Sequence, residues 1–173
     1  MSEAMDPIDV TKKGAALAAA EAGRFDALPI YKSEIECASR EEIRALQLEK
    51  LKETVAYAYE RVPYYRQKLD EMGVAPSDIQ TLEDVRKLPF TDKAVLRETF
   101  PFGLFAVPLD DIRELHSSSG TTGKPVVVGY TDDDMDMWSE CIARLVQMAG
   151  VVPGDIAQMA FGYGMFTGGF GLH

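Results

Sequence analysis

The stretch best suited to chemistry is Ser117-Ser118-Ser119-Gly120-Thr121-Thr122-Gly123-Lys124-Pro125. All but its last two residues are Ser, Thr or Gly. Glycine lets a backbone turn sharply and approach a ligand closely. Successive backbone N–H groups can then converge on phosphate oxygens as an anion nest. The hydroxyls add donors, and Lys124 adds a point charge. The chemistry suits a polyphosphate. This is not a Walker loop, which needs four residues between its glycines and a Ser or Thr after the Lys. Here Gly120 and Gly123 stand closer, and Pro125 follows Lys124. From composition alone, an ordinary polar hairpin loop stays open as the other reading.

Other chemistry-bearing residues are few. Phe161 to Gly169 interleaves Phe161, Tyr163 and Phe166 with Gly162, Gly164, Gly168 and Gly169. Aromatic faces and glycine gaps suit a flat ring. The same composition suits a closely packed strand-to-helix turn. His116 reads as a strand-end histidine with its hydrogen bonds satisfied, rather than as a phosphate ligand. Ser117 beside it makes no triad, because adjacent strand residues point to opposite faces. No Cys, His and Asp cluster has metal-ligand spacing. Asp132, Asp133 and Asp134 belong to the first turn of a helix, where its dipole favours negative charge.

The elements that must position these residues fall into two halves. Ser39 and Glu42 form a capping box for a helix whose stripe is Ile43, Leu46, Leu51, Val55 and Ala58. Pro63 bounds it, and a second helix runs from about Tyr64 to Met72 with Gly73 closing it. Thr81 with Asp84, and Thr91 with Lys93 onward, predict two short helices among Pro76, Pro89 and Pro101. Phe100 to Phe105 predicts an apolar loop over the core. Before all these, Thr11 to Arg24 is an Ala-rich loose helix or frayed tail, and Phe25 to Cys37 a connector. The second half reads as a strand over Ile112–His116, the loop, and a strand over Val126–Tyr130. A helix capped by Thr131 and Asp134 follows, with a stripe of Met135, Trp138, Ile142, Leu145 and Ala149 and an end at Gly150. Ile156 to Phe161 then reads as a buried strand. The fold class is α/β, with a helical lead-in before the first strands.

The chain has 173 residues, enough for one core and too few for two ordinary domains. Its formal net charge is −10, which argues against nonspecific binding to nucleic acid or anionic lipid. No apolar run has the length of a membrane span. The polar, acidic first residues do not resemble a secretory signal. Cys37 and Cys141 are far apart, and free thiols fit a reducing cytoplasm.

In residue order the loop resembles the phosphate-binding loop of the adenylate-forming superfamily. Leu104-Phe105-Ala106-Val107-Pro108, Ser118 to Pro125, Val127-Val128-Gly129-Tyr130-Thr131 and Phe161 to Gly169 narrow that resemblance to the phenylacetate–CoA ligase family. Glu34 to Glu42 and Arg61-Val62-Pro63-Tyr64-Tyr65-Arg66 fit the same family. The resemblance covers roughly Ile30 to His173.

The resemblance implies that residues 30–173 are the N-terminal portion of an AMP-binding domain, preceded by an extension over 1–29. It implies an ATP-dependent, AMP-forming ligase that activates an aromatic carboxylate, phenylacetate in the first place, through an acyl-adenylate and passes it to CoA. ATP, Mg²⁺ and CoA are the implied cofactors, and a cytoplasmic homodimer the implied assembly. Ser118, Ser119, Gly120, Thr121, Thr122, Gly123 and Lys124 would hold the ATP phosphates, with Thr121 and Thr122 touching them directly. Phe161, Tyr163, Phe166, Gly168 and Gly169 would line the acid pocket, with His173 beside it. The resemblance also implies further parts beyond His173: an acidic Mg²⁺ ligand, a hinge and a C-terminal domain with the catalytic Lys. The 173-residue chain alone is then expected to be inactive. The alternative is a stand-alone nucleotide-binding or dimerisation module derived from such a ligase.

Overall fold

The structure, a computed structural model, describes residues 30–118, 124–151, 154–160, 162 and 167–171, with the backbone alone at 169 and 170. The expected Ala-rich helix over Thr11–Arg24 lies outside them. The described chain opens with one helical turn, α1 (Ser33–Glu36), inside the expected connector. Next come α2 (Arg40–Arg61) and α3 (Pro63–Met72).

Local chemistry explains both long helices. Ser39 Oγ accepts the Glu42 N–H, and the Glu42 carboxylate accepts the Ser39 N–H, so two orphan donors are satisfied. At the other end Arg66 donates from Nε to Tyr59 O at 3.0 Å and from Nη2 to Glu60 O at 2.6 Å. A cation thus sits on the last carbonyls of α2, where the dipole favours it. Pro63 takes the first position of α3, where its missing N–H costs nothing. Gly73 closes α3 at φ 66°, and Val74 N–H reaches back to Leu69 O, as a glycine-ended helix does.

The core sits in this half. Val55 from α2, Leu69 from α3 and Ile79 from the following segment are buried together. Leu51, Tyr59, Val74 and Leu88 pack around them. The Pro-punctuated stretch forms 3₁₀ turns at Pro76–Asp78 and Leu82–Lys87, then α4 (Lys93–Glu98). Thr81 N–H donates to Asp84 as expected. Lys87, with the N–H groups of Gln80 and Thr81, holds the Asp84 carboxyl far below the usual range. α4 is capped by Asp92, which accepts from Ala94 and Val95 N–H, rather than by Thr91.

The second half is strand, strand, helix. β1 (Glu114–Ser117) and β2 (Val127–Tyr130) pair antiparallel, with Glu114 opposite Tyr130 and Ser117 opposite Val127. β1 thus starts two residues later than expected. α5 (Asp132–Met148) has the expected Thr131–Asp134 capping box, and Gly150 follows its end at φ 82°. Its stripe is only partly covered: Met135, Trp138 and Ile142 are half-buried, while Leu145 is 55% exposed. The Phe100–Phe105 loop packs onto the sheet rather than over the α2–α3 core, with the Phe105 ring against Gly129.

The strand expected over Ile156–Phe161 does not form across its described residues, and Ile156 is 79% exposed. An apolar run becomes a strand only through a paired neighbour. The sheet of the described residues holds β1 and β2 alone. A last turn, α6 (Thr167–Phe170), follows. The order is α/β, helices first, as the sequence predicts.

An ion cluster fastens α1 to α5. Lys32 Nζ donates to Glu140 Oε2 at 2.7 Å, and Arg144 pairs with Glu140 and with Glu36. The hydrogen bond from Lys32, aided by the nearby Arg144 charge, lowers the Glu140 carboxyl below its ordinary value. A depressed folded value stabilises above the unfolded pKa of about 4.3, and that contribution is lost as pH falls through the folded value. Acid, or Glu140→Gln at neutral pH, is therefore expected to release α1. Amide exchange over Ser33–Glu36 should speed up in both cases, and equal protection in the variant would contradict the tether.

Candidate functional site

The loop expected to hold phosphate is mounted on the open end of the β1–β2 ladder. One step beyond the paired residues, Ser118 N–H donates to Val126 O at 3.0 Å. Val126 N–H donates to Ser118 Oγ, also at 3.0 Å. Ser118 Oγ thus accepts from the backbone, and its own proton is left to donate. These two bonds bring the ends of the loop together. Ser119, Gly120, Thr121, Thr122 and Gly123 lie outside the described residues. Lys124 is exposed, with Nζ 5.8 Å from the centre of the Phe100 ring. An ammonium over an aromatic face is weakly held there. Its flexible stem makes it a movable charge at the foot of the loop.

One residue before Ser117, His116 is 3% exposed. Nε2 lies 3.1 Å from Glu114 Oε2, and Nδ1 lies 3.2 Å from Thr167 Oγ1. Glu114 and His116 share a strand face because they are two residues apart. Nε2–H donates to the Glu114 carboxylate, and Nδ1 shares a hydrogen bond with the Thr167 hydroxyl. The ring also meets Tyr130 at 4.9 Å and Trp138 at 5.5 Å, both edge-on. Burial, with Asp134 nearby, raises the Tyr130 phenol above its usual pKa. His116 is therefore the satisfied histidine expected, with a partner 51 residues away.

Thr167 opens α6, the helix that carries Gly168 and Gly169. Trp138 Nε1–H donates to Gly171 O at 3.0 Å at the other end of that turn. A Cβ on Gly171 would stand 2.8 Å from Thr167 O and 2.9 Å from the Trp138 ring, so only glycine fits there. A cleft of about 250 Å³ lies between hairpin and helix, lined by His116, Ser117, Ser118, Val126, Val128 and Thr167. Of the expected acid-pocket residues, Gly168 is half-buried at this seam and Gly169 follows it. Phe161, Tyr163, Phe166 and His173 lie outside the described residues. Sequence reading passed over Thr167 and Glu114. The alternation Glu114-x-His116 was the available signal.

Among the described residues no group of three or more His, Cys, Asp or Glu could hold a metal ion. Asp134 instead accepts the Thr131 N–H in the capping box. No helix among them is long and apolar enough to cross a membrane.

No protein-family model matches the chain. A phenylacetate–coenzyme A ligase of Thermus thermophilus is 54% identical over 144 residues, which is 83% of this chain. The chain is related to the phenylacetate–coenzyme A ligases. The ligase of that name from Escherichia coli is 52% identical over 139 residues, or 80% of this chain. The chain spans 32% of the length of each of these relatives. Among solved structures, a 2-hydroxyisobutyryl-CoA ligase in complex with 2-HIB-AMP and CoA superposes with a TM-score of 0.72 at 32% identity. The superposition covers 78% of this chain and 29% of that one. The relatives by sequence and the neighbour by structure are all CoA ligases.

Proposed function

We propose that residues 30–173 are the N-terminal portion of the AMP-binding domain of an ATP-dependent aromatic acid–CoA ligase, with 1–29 as an extension. Phenylacetate is the substrate of choice. In the first step a carboxylate oxygen attacks the α-phosphorus of ATP, the bond to the β-phosphate oxygen breaks, and pyrophosphate leaves. In the second the CoA thiolate attacks the acyl carbon and AMP leaves. The observation that carries this reading is the seam at which the hairpin of the phosphate loop meets the helix of Gly168 and Gly169. The similarity to phenylacetate–coenzyme A ligases supports it.

The first step depends on donors aimed at phosphate oxygens more than on a protein base. Ser118, Ser119, Gly120, Thr121, Thr122, Gly123 and Lys124 supply them, with the Lys124 charge following the departing pyrophosphate. Phe161, Tyr163 and Phe166 give the aromatic acid its wall, and Gly168 and Gly169 leave it room. The described residues offer no cage for Mg²⁺. The ion would come with the ATP phosphates, as is usual for it. The protein is cytoplasmic in this reading, in keeping with its two free, exposed cysteines. It pairs as a homodimer through the helical half, where Tyr57, Met72, Val85 and Phe90 are exposed.

The test is phenylacetate-dependent exchange of labelled pyrophosphate into ATP, by the protein at the length its own cells make. Exchange is expected there, and no phenylacetyl-CoA from the 173-residue chain alone. Lys124→Ala should weaken ATP binding about 10- to 100-fold, the worth of one charge-assisted bond. Unchanged affinity would remove Lys124 from the phosphate site. ATP binding without any acid-dependent exchange would favour a nucleotide-binding module instead.

A further inference from the structure

α6 is a single turn, far too short to be stable by itself. What holds it comes from the two arms of the phosphate loop. His116 stands on β1, just before Ser117, and takes the Thr167 hydroxyl. Trp138 stands on α5, just after β2, and takes Gly171 O. The imidazole has little freedom. Its backbone lies in the ladder opposite Val128. Glu114 accepts from Nε2, and the edges of Tyr130 and Trp138 confine the ring. Nδ1 is thereby aimed at Thr167, the residue next to Gly168.

We infer that His116 is a positioning residue: through Thr167 it fixes the helix of Gly168 and Gly169 against the hairpin of Ser118 and Lys124. It so sets the approach of the carboxylate to the nucleotide. This rests on the reading given under Proposed function. Attack on phosphorus requires reacting atoms about 3–3.5 Å apart, and a displacement of about 1 Å can cost 100-fold. One hydrogen bond across the seam is the contact that controls this distance at the Thr167 end. The cleft beside it opens on Ser117 and Ser118, so acid and phosphate meet where the imidazole is anchored.

Thr167→Val keeps the branched shape and deletes the hydroxyl, whereas Thr167→Ser keeps the hydroxyl. Both are measured in the protein at its natural length by acid-dependent pyrophosphate exchange and by ATP binding. Thr167→Val is expected to lower kcat/KM for the acid roughly 10- to 100-fold, with ATP affinity within about twofold. Thr167→Ser should recover to within about threefold, since it restores the bond. Should the valine variant not fold, Glu114→Ala is used: it leaves Thr167 intact, removes the acceptor at Nε2 and so loosens the imidazole, and should lower kcat/KM for the acid at unchanged ATP affinity. Wild-type kcat/KM in these variants overturns the role. So does an equal fall in ATP affinity, which a merely structural bond would give. Absence of exchange in the wild type overturns the ligase reading itself and this role with it, a result distinct from either.

Discussion

Ile79→Ala is expected to cost about 2–5 kcal/mol of folding stability, as large-to-small changes do in filled cores. Ile79 has no exposed surface at all, and it packs with Val55 at 6% and Leu69 at 3%. It lies between two 3₁₀ turns, so it pins an otherwise irregular segment onto the α2–α3 pair. Truncation leaves a cavity that helices cannot readily close, because capping at Ser39 and Gly73 fixes their ends. Small domains are stable by only about 5–15 kcal/mol, so this one change removes a large fraction. Urea unfolding of wild type and variant measures it. A loss under about 1 kcal/mol would mean that the site collapses freely and is not a filled core.

Gly129→Ala should damage both stability and binding. A Cβ there would stand 2.6 Å from Phe105 Cε2, 2.8 Å from Cζ and 2.9 Å from Ile112 Cδ1. The Phe105 ring is held in turn against Phe102, with centroids 5.1 Å apart. Overpacking of this kind costs about 1–3 kcal/mol. Gly129 lies in β2 opposite Leu115, so the strain falls on the hairpin that carries Ser118 and Lys124. Nucleotide affinity is expected to fall with stability. Phe105→Leu in the same chain should return part of both, because it vacates the space the new methyl needs. A Gly129→Ala protein as stable as wild type would refute the account.

What was legible in the sequence was local. α2 and α5 announce themselves because Ser39 with Glu42, and Thr131 with Asp134, satisfy backbone donors within one turn. Gly73 and Gly150 end their helices for the same short-range reason, since each adopts a left-handed conformation. Of the hairpin arms, β2 was readable from Val127 and Val128, whereas β1, Glu114–Ser117, holds no β-branched residue and was placed two residues early. Long-range placement was not readable. Ile79 looks like any apolar residue in a Pro-rich linker until α2 and α3 close over it. Ile156 belongs to an apolar run, yet no paired neighbour exists for it among the described residues. At the site, the types of Ser118 and Lys124 pointed to anion chemistry, while His116 read as a satisfied strand-end histidine. Nothing in spacing alone could join His116 to Thr167, because that contact needs both the β1 register and the seat of α6.

The chain holds one tryptophan, and it sits at the seam. Trp138 is 4.9 Å from Tyr130 and 5.5 Å from His116, with its indole N–H bound to Gly171 O. The protein thus carries a built-in optical reporter at the junction of hairpin and helix. Release of α6 would hydrate the indole and move its fluorescence to the red, while unfolding confined to α1 would leave the emission unchanged. A ligand that tightens the seam would be visible by the opposite shift, with no label attached.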